Sequence, residues 1–457
     1  MKTIALRFKE FLMIFLGVLS FNLYAQSPKV WEWAKCIAAN GTDKSYGFVT
    51  DKSGNTYITG SFKDSMDLGT RKIGSNGYLD VFLLKYNTKG ELEWARQAGG
   101  TDADEAYGIA IDKSGDVFIT GYFSSNAMFS DIQLTSNSDR DFFVAKYNSN
   151  GEALWVKKGE GAMDNFGTAI TIDNSGNALV TGVFNGSVLW RYKKFKSQSG
   201  ENIFLIKYNN DGKLIWARTG GGNLSDRPTA LICDSRDNCY LVTDYEGNAT
   251  FDGKRAASRN KSNVLIAKYD IEGNTLWVKR VCFSTGISHA SSIALDGSGD
   301  IYLAGYFSGI TFFANKSLKN LESHDLFLAK LNSNGNLKWV TQTGGTGDQS
   351  ARSIVLDKKG NIYLAGEYNA TFTYDANNIR SLDNWDIYVL KYNSNGKLID
   401  GDMLPGIGYN KASGISIDEY SNIYLAGYFS KSLTVGSTNL FSYNGNFIAK
   451  LKSFIIE

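Results

Sequence analysis

Histidine is nearly missing from this sequence, at two residues in 457, and proline (three) and cysteine (four) are scarce. The shortage of histidine weighs against a zinc centre, which takes three or four ligands. His289 and His324 bring Asp325 beside them, and no third ligand is marked. There is no dinucleotide fingerprint and no P-loop, so no cofactor is expected. Serine, aspartate and glutamate are scattered without a nucleophile motif. Net charge is also small: 48 lysines and arginines face 46 aspartates and glutamates. That surplus lies in the leader, with Lys2, Arg7 and Lys9 against Glu10. The neutral remainder offers no global electrostatic case for nucleic acid. Beyond the N-terminus no apolar run is long enough to span a membrane.

The N-terminus itself reads as a secretory signal. Basic residues precede the run from Phe11 to Leu19, and Leu23-Tyr24-Ala25 supplies the cleavage pattern. Residues 1–25 are the expected signal peptide, cut between Ala25 and Gln26. No cysteine sits at the cut, so a bacterial lipid anchor is not expected, nor is a sorting domain after the last repeat. The expectation is an exported monomer, periplasmic or extracellular at the cell surface. Such a compartment permits disulfides. Cys233 and Cys239 flank the turn Asp234–Asn238, where a bridge across a hairpin is one reading and two small buried apolar residues the other. Cys36 and Cys282 are expected to be unpaired.

What the chain has in abundance is a repeat. Asp51, Asp112, Asp173, Asp234, Asp296, Asp357 and Asp418 recur at a period of about 61 residues, the mark of one supersecondary unit repeated. In the copy from Tyr107 to Lys157, Ile109 and Ile111 alternate with small residues, as in a half-buried strand. The turn Asp112-Lys-Ser-Gly115-Asp116 follows. A second strand runs from Val117 to Phe123, rich in aromatic and β-branched residues. After a polar insert (124–140), a third strand covers Asp141 to Asn148, and a fourth ends near Lys158. Four antiparallel strands, seven times over, predict an all-β, seven-bladed β-propeller. The seventh copy stops after its third strand, and Val30-Trp31-Glu32-Trp33-Ala34-Lys35 aligns with Glu91-Leu92-Glu93-Trp94-Ala95-Arg96. The N-terminal strand is therefore expected to close the ring. The single domain, 26–457, divides into blades at about 45–97, 106–158, 166–219, 228–281, 290–342, 351–400, and 412–452 plus 30–36.

The string G-I-A-x-D-x-x-G-N-x-Y-x-T-G-x-F, then D-x-F-x-A-K-Y, then G-x-L-x-W, resembles the SBBP β-propeller repeat of bacterial secreted and surface proteins. The resemblance covers about residues 30–457, and the first strand and turn are also similar to the NHL repeat. It implies a fold and no activity.

Two faces follow from the topology. The Asp turns and the Asn-Ser-Asn-Gly turns share one, here the turn face. A calcium loop needs six to eight oxygens, whereas each turn offers two or three, so no metal is assigned. Trp33, Trp94, Trp155, Trp216, Trp277 and Trp339 share one repeat position and read as packing between blades rather than a sugar stack. Asp400 breaks that column, which predicts a poorly packed outer strand in blade six.

The inserts and glycine-rich joints share the opposite, loop face, where function is expected. Eight residues before each anchor stand Asp43, Asp104, Asn165, Asp226, Ser288, Gln349 and Asn410. These either cap the inner strands or form a hydrogen-bonding mouth for a sugar or peptide. Blade three carries Trp190, Arg191, Tyr192, Lys193, Lys194 and Lys196; blade four adds Lys254, Arg255, Arg259 and Lys261. This basic, aromatic corner suits an anionic ligand, or it is a hairpin covering its blade with solvated charges outside. The leading expectation is a non-catalytic binding or scaffolding propeller that recognises glycan or protein at the cell envelope. The alternative is an extracellular carbohydrate-active hydrolase or lyase with acids at the channel mouth.

Overall fold

The computed structural model describes residues 30–37, 43–161, 163–190, 193–197, 200–258, 262–320, 323–374 and 377–452. The leader, its cleavage point, Arg191, Tyr192, Arg259 and Lys261 lie outside the described residues. Every regular element among those described is a strand, and no helix is long and apolar enough to cross a membrane.

Seven antiparallel blades form the ring. In blade one the strands run in order Lys44–Thr50, Thr56–Phe62, Asp80–Tyr86 and Leu92–Gly100. Blade two repeats this as Glu105–Ile111, Val117–Phe123, Asp141–Tyr147 and Ala153–Lys158. Blade seven takes three strands from the C-terminal segment, and its fourth is the N-terminal Trp31–Ile37. That strand pairs Ala34 with Ala449 and Ile37 with Asn446, so the ring is closed by two remote segments, as the split repeat predicts.

The second and third strands are buried along their whole length in blades two and three. They can be, because they are sandwiched between neighbouring blades rather than exposed on one side. Buried apolar residues fall into seven clusters among the described residues, one between each pair of blades. Tyr57 and Leu83 of blade one pack with Ile119 and Phe143 of blade two, for example. Ile58 and Phe82 pack instead with Ala426 and Ile448 of blade seven. At about 1.5–3 kcal/mol for each large apolar side chain buried, cohesion lies between blades.

The inserts are more structured than their polar sequence indicates. In blade two Asn126–Phe129 and Ile132–Thr135 form a hairpin, and its first strand pairs with Ala98, Gly99 and Gly100 at the end of the preceding blade's outer strand. Blade four repeats this against Gly220–Gly222. Here is the reason for the glycine-rich joints: a Cβ on Gly100 would lie 1.7 Å from the Asn126 carbonyl oxygen. In blades two to seven the hairpin thus laces its blade to the one before; among the described residues, that of blade one, Ser65–Asp67 with Lys72–Gly74, pairs only with itself.

Candidate functional site: the loop-face mouth

The joints deliver seven inner strands to the mouth of the channel. At the head of each stands one residue of the polar ring. Asp43, Asp104 and Asp226 are 1%, 0% and 0% exposed, so these three lie beneath the mouth rather than on it. Their carboxylates accept from backbone amides, through both oxygens in Asp104, whereas Asp43 Oδ2 and Asp226 Oδ1 are buried without a partner among the described residues. Asp104 accepts from Ser124 N (3.0 Å) and Gly100 N (2.7 Å), Asp226 from Gly222 N (2.6 Å), and Asp43 from Lys63 N (3.2 Å). Asn165 does the same work with an amide, accepting from Phe142 N at 2.9 Å and donating to Asp141 at 2.9 Å. Burial pushes the carboxyls up, to about 6 for Asp43 and about 7 for Asp104 and Asp226.

The residue after the ring is different in nature. Lys44, Glu105, Phe166, Arg227, His289, Ser350 and Lys411 occupy this position, and each lies opposite a partner on the second strand. The pairs include Lys44 with Ser61, Glu105 with Tyr122, Arg227 with Asp244, His289 with Tyr306 and Lys411 with Tyr428. Two residues further along come Tyr46, Tyr107 and Arg352. Tyr46 meets Tyr107 edge-on at 5.0 Å, and Tyr107 reaches Phe166 at 6.3 Å, so aromatic rings step across blades one to three. Glu105 accepts from Tyr122 Oη at 2.8 Å and Ser61 Oγ at 3.2 Å. Arg352 pairs with the buried Glu367 at 2.7 Å.

Both histidines join this mouth. His289 Nδ1 bonds the Asp244 carboxylate, and His324 Nδ1 bonds Asp348 at 2.7 Å. Tyr306 lies between the two imidazoles, its ring 4.9 Å from His289 and 5.5 Å from His324. Burial works against the Asp348 charge, but hydrogen bonds from His324 and Asn369 hold its carboxyl below the usual range. Among the described residues, no cluster of three or more histidine, cysteine, aspartate or glutamate side chains could hold a metal ion. A pocket of about 510 Å³ opens beside His289, walled by Arg227, Asp244 and Tyr306. A second, of about 560 Å³, lies between blades six, seven and one. Sequence reading put both histidines on this face but did not bring Asp244 or Tyr306 to them.

The corner on blades three and four divides by depth. Trp190 is 4% exposed and packs among Phe142, Phe184, Phe195 and Phe204. It is part of the core. Lys193, Lys194 and Lys196 are exposed on the hairpin's outer strand, and Lys254 and Arg255 are exposed on the next hairpin. Cys233 and Cys239 are bridged, with Cα atoms 4.1 Å apart; Cys36 and Cys282 are free. On the turn face the anchor carboxylates are fully employed. Asp112 accepts from the amides of Ser114 (2.8 Å) and Asp116 (3.0 Å), and Asp173 takes the Lys207 ammonium at 2.7 Å.

The family model for the SBBP β-propeller repeat matches residues 93–126 and 338–370, two stretches of this seven-bladed propeller. Two curated proteins are similar to the chain. An uncharacterized WD repeat-containing protein of Acanthamoeba polyphaga mimivirus is 23% identical over 76% of this chain and 32% of its own length. The regulatory protein FlaEY of Caulobacter vibrioides is 29% identical over 70% of this chain and 36% of its own. The chain thus spans about a third of the length of these relatives. Among solved structures, the β-propeller domain of the trilobed protease from Pyrococcus furiosus covers 91% of this chain and 96% of its own, at 10% identity and a TM-score of 0.46. A protein of unknown function from Dyadobacter fermentans covers 93% and 100%, at 10% identity and 0.44.

Proposed function

We propose that this seven-bladed propeller is an exported, non-catalytic binding scaffold that engages a protein partner through its loop-face mouth. One observation carries the reading. The polar ring at the head of the inner strands accepts from backbone amides in several blades, while the next position along each strand changes from Lys to Glu, Phe, Arg, His and Ser. A constant structural ring beside a varied position suits recognition of one particular surface. Similarity to a WD repeat-containing protein and to a regulatory protein supports a scaffold for protein interaction. The leader supports export, as does the Cys233–Cys239 bridge, since disulfides persist in oxidising compartments.

The test is site-specific photo-cross-linking in the cells that make the protein. A photoreactive phenylalanine replaces Tyr409 at the mouth (53% exposed) or Tyr420 on the turn face (69% exposed). Discrete protein adducts from position 409 and none from 420 are expected. Adducts from 420 alone, or from neither, would overturn the reading.

Five exposed cations on the hairpins of consecutive blades, Lys193, Lys194, Lys196, Lys254 and Arg255, favour a second reading, an anionic glycan at that corner. Binding of the chain Gln26–Glu457 to a polysaccharide array, lost when Lys193, Lys194 and Arg255 become Glu, would support it. Bound polysaccharide that shortens with time would point instead to a hydrolase or lyase, for which Asp244 and His289 offer acid–base groups.

A further inference from the structure

Several charges at the mouth are paired. Arg227 pairs with Glu201 at 2.9 Å, His289 with Asp244, and Arg352 with Glu367 at 2.7 Å. Glu105 is held by two hydroxyl donors. Lys44 and Lys411 have no ion-pair partner among the described residues. They occupy the same position on the inner strands of blades one and seven, which Ser45 Oγ and Ser413 Oγ tie together at 2.9 Å. No carboxylate lies within 4 Å of either ammonium among the described residues; Lys411 lies over the Trp385 ring at 5.4 Å instead. Both line the cavity of about 560 Å³, whose other walls include Tyr46, Tyr409 and Tyr428.

Blade seven also differs from the other blades beside this cavity. Its second strand runs on into the insert hairpin and the hairpin into the third strand, as Ile423–Val435 and Thr438–Leu451, with a bulge between Phe429 and Lys431. Asn444 of that hairpin accepts from Tyr428 Oη at 2.5 Å and lines the cavity. Phe441 and Tyr443, on one side of the same strand, are 74% and 87% exposed. Two large aromatic side chains left in water beside a cationic pocket mark a contact surface.

We propose that this cavity is the recognition pocket for an acidic segment of a partner protein. A carboxylate seats between Lys44 and Lys411, and a neighbouring aromatic or aliphatic side chain lies against Tyr409, Phe441 and Tyr443. The proposal rests on the loop-face reading above and adds the chemistry of the partner. Charge complementarity selects the occupant: two cations without a counter-charge in a half-enclosed pocket lower the desolvation cost of an acid and reject a base. The tyrosine hydroxyls can bond the peptide backbone while their rings take its apolar side chain.

The test is selection of a displayed random 12-residue peptide library on the chain Gln26–Glu457, repeated on the Lys44→Gln/Lys411→Gln variant. A Lys358→Glu/Lys359→Glu variant on the turn face serves as the control. Lys44 is exposed and Lys411 half-buried, and neither has an ion pair among the described residues, so the Gln variant is expected to fold; equal melting temperatures check this. Peptides rich in Asp or Glu next to an aromatic residue should emerge. They should bind the Gln variant about tenfold or more weakly, bind the control unchanged, and weaken as salt rises. Neutral peptides whose binding survives Lys44→Gln/Lys411→Gln but is lost on Tyr409→Ala would overturn the acidic pocket and leave the loop-face reading standing. The proposal also fails if no peptide emerges, or if polygalacturonate alone binds and is lost in the Gln variant. Silence in the cross-linking experiment would remove the loop-face reading itself.

Discussion

The indole of Trp94 lies on Gly151, the turn glycine of the next blade, and donates from Nε1 to the Ser149 carbonyl at 3.0 Å. The same clasp joins Trp33 to the turn holding Gly90, Trp155 to Gly212 and Trp216 to Gly273. The Trp column and the Asn-Ser-Asn-Gly turn are therefore two halves of one contact between blades. Gly151 has φ +77°, and a Cβ there would come within 3.0 Å of the indole; Gly176 has φ +80° with nothing within 4 Å. Gly176→Ala should cost about 1–2 kcal/mol for the left-handed backbone alone. Gly151→Ala should cost about 1–3 kcal/mol more from overpacking. Chemical denaturation of both variants measures the difference, and equal losses would show that the clasp contributes nothing.

Where the column breaks, the structure supplies a substitute. At Asp400 there is no turn to clasp, because the third and fourth strands of blade seven are remote segments, joined by Trp31↔Leu451 pairing. Trp31 Nε1 instead donates to Asp402 Oδ2 at 2.7 Å, linking the closing strand to blade six. Asp402→Ala should cost about 1.5–3 kcal/mol, the range for a hydrogen bond to a charged group. It should also speed hydrogen exchange in Trp31–Ile37. Exchange in Leu398–Leu404 should already be faster than in Leu92–Gly100; equal protection in these two outer strands would remove the idea that the missing indole loosens blade six.

The Cys233–Cys239 bridge closes a short loop, with a sequence separation of 6. Chain-entropy arguments assign such a loop about 2 kcal/mol. Cys233→Ser/Cys239→Ser should lower the unfolding free energy by roughly that amount. A non-reduced digest should yield the linked peptide. Burial pushes the free thiols up, Cys36 to about 11 and Cys282 to about 12, so neither should alkylate readily in the native protein at pH 8. Rapid labelling of Cys282 would contradict the packing around it.

The period, the blade count and the closing strand were legible because each is written in consecutive residues, from the anchor Asp column to the match of Trp33 with Trp94. The insert hairpins were not. Asn126–Phe129 offers only Ala127 and Phe129 to the interior, too few for a strand pattern, and its pairing partner lies in the preceding blade. The histidine cluster stayed hidden for a related reason: Asp244, His289 and Tyr306 come from three strands of two blades. A signal was present all the same. Aligned by the repeat, Ser61, Tyr122, Val183, Asp244, Tyr306, Glu367 and Tyr428 form one column facing the column of Lys44 and His289. Two facing columns that vary together outline the rim. Trp190 shows the opposite error, since an aromatic among lysines looks like a ligand contact until its hairpin is folded back onto Phe142 and Phe204.

The buried acid ring makes stability depend on pH. Asp104 and Asp80 converge at one joint: a Cβ on Gly99 would lie 2.7 Å from Asp80 Cγ and 2.8 Å from Asp104 Oδ2. Burial first, then the charge of Asp80, pushes Asp104 to about 7, and burial takes Asp226 to the same value. An unfolded Asp titrates near ~3.9, so between these values the native state binds more protons than the unfolded one. The contribution of these groups is complete below about pH 4 and is lost as pH rises through 7. It amounts to at most about 4 kcal/mol per residue. Asp234 and Asp348, held below their usual range by hydrogen bonds despite burial, act in the opposite sense and limit stability only in stronger acid. Blades three and seven use Asn165 and Asn410 in the same place, so Asp104→Asn should fit. The wild-type melting temperature should fall from pH 5 to pH 8. Asp104→Asn should flatten that fall and melt higher than wild type at pH 8, with little difference at pH 4. A variant that melts lower than wild type at pH 8 would mean that the ionised carboxylate, bound to the amides of Gly100 and Ser124, is the form the joint requires.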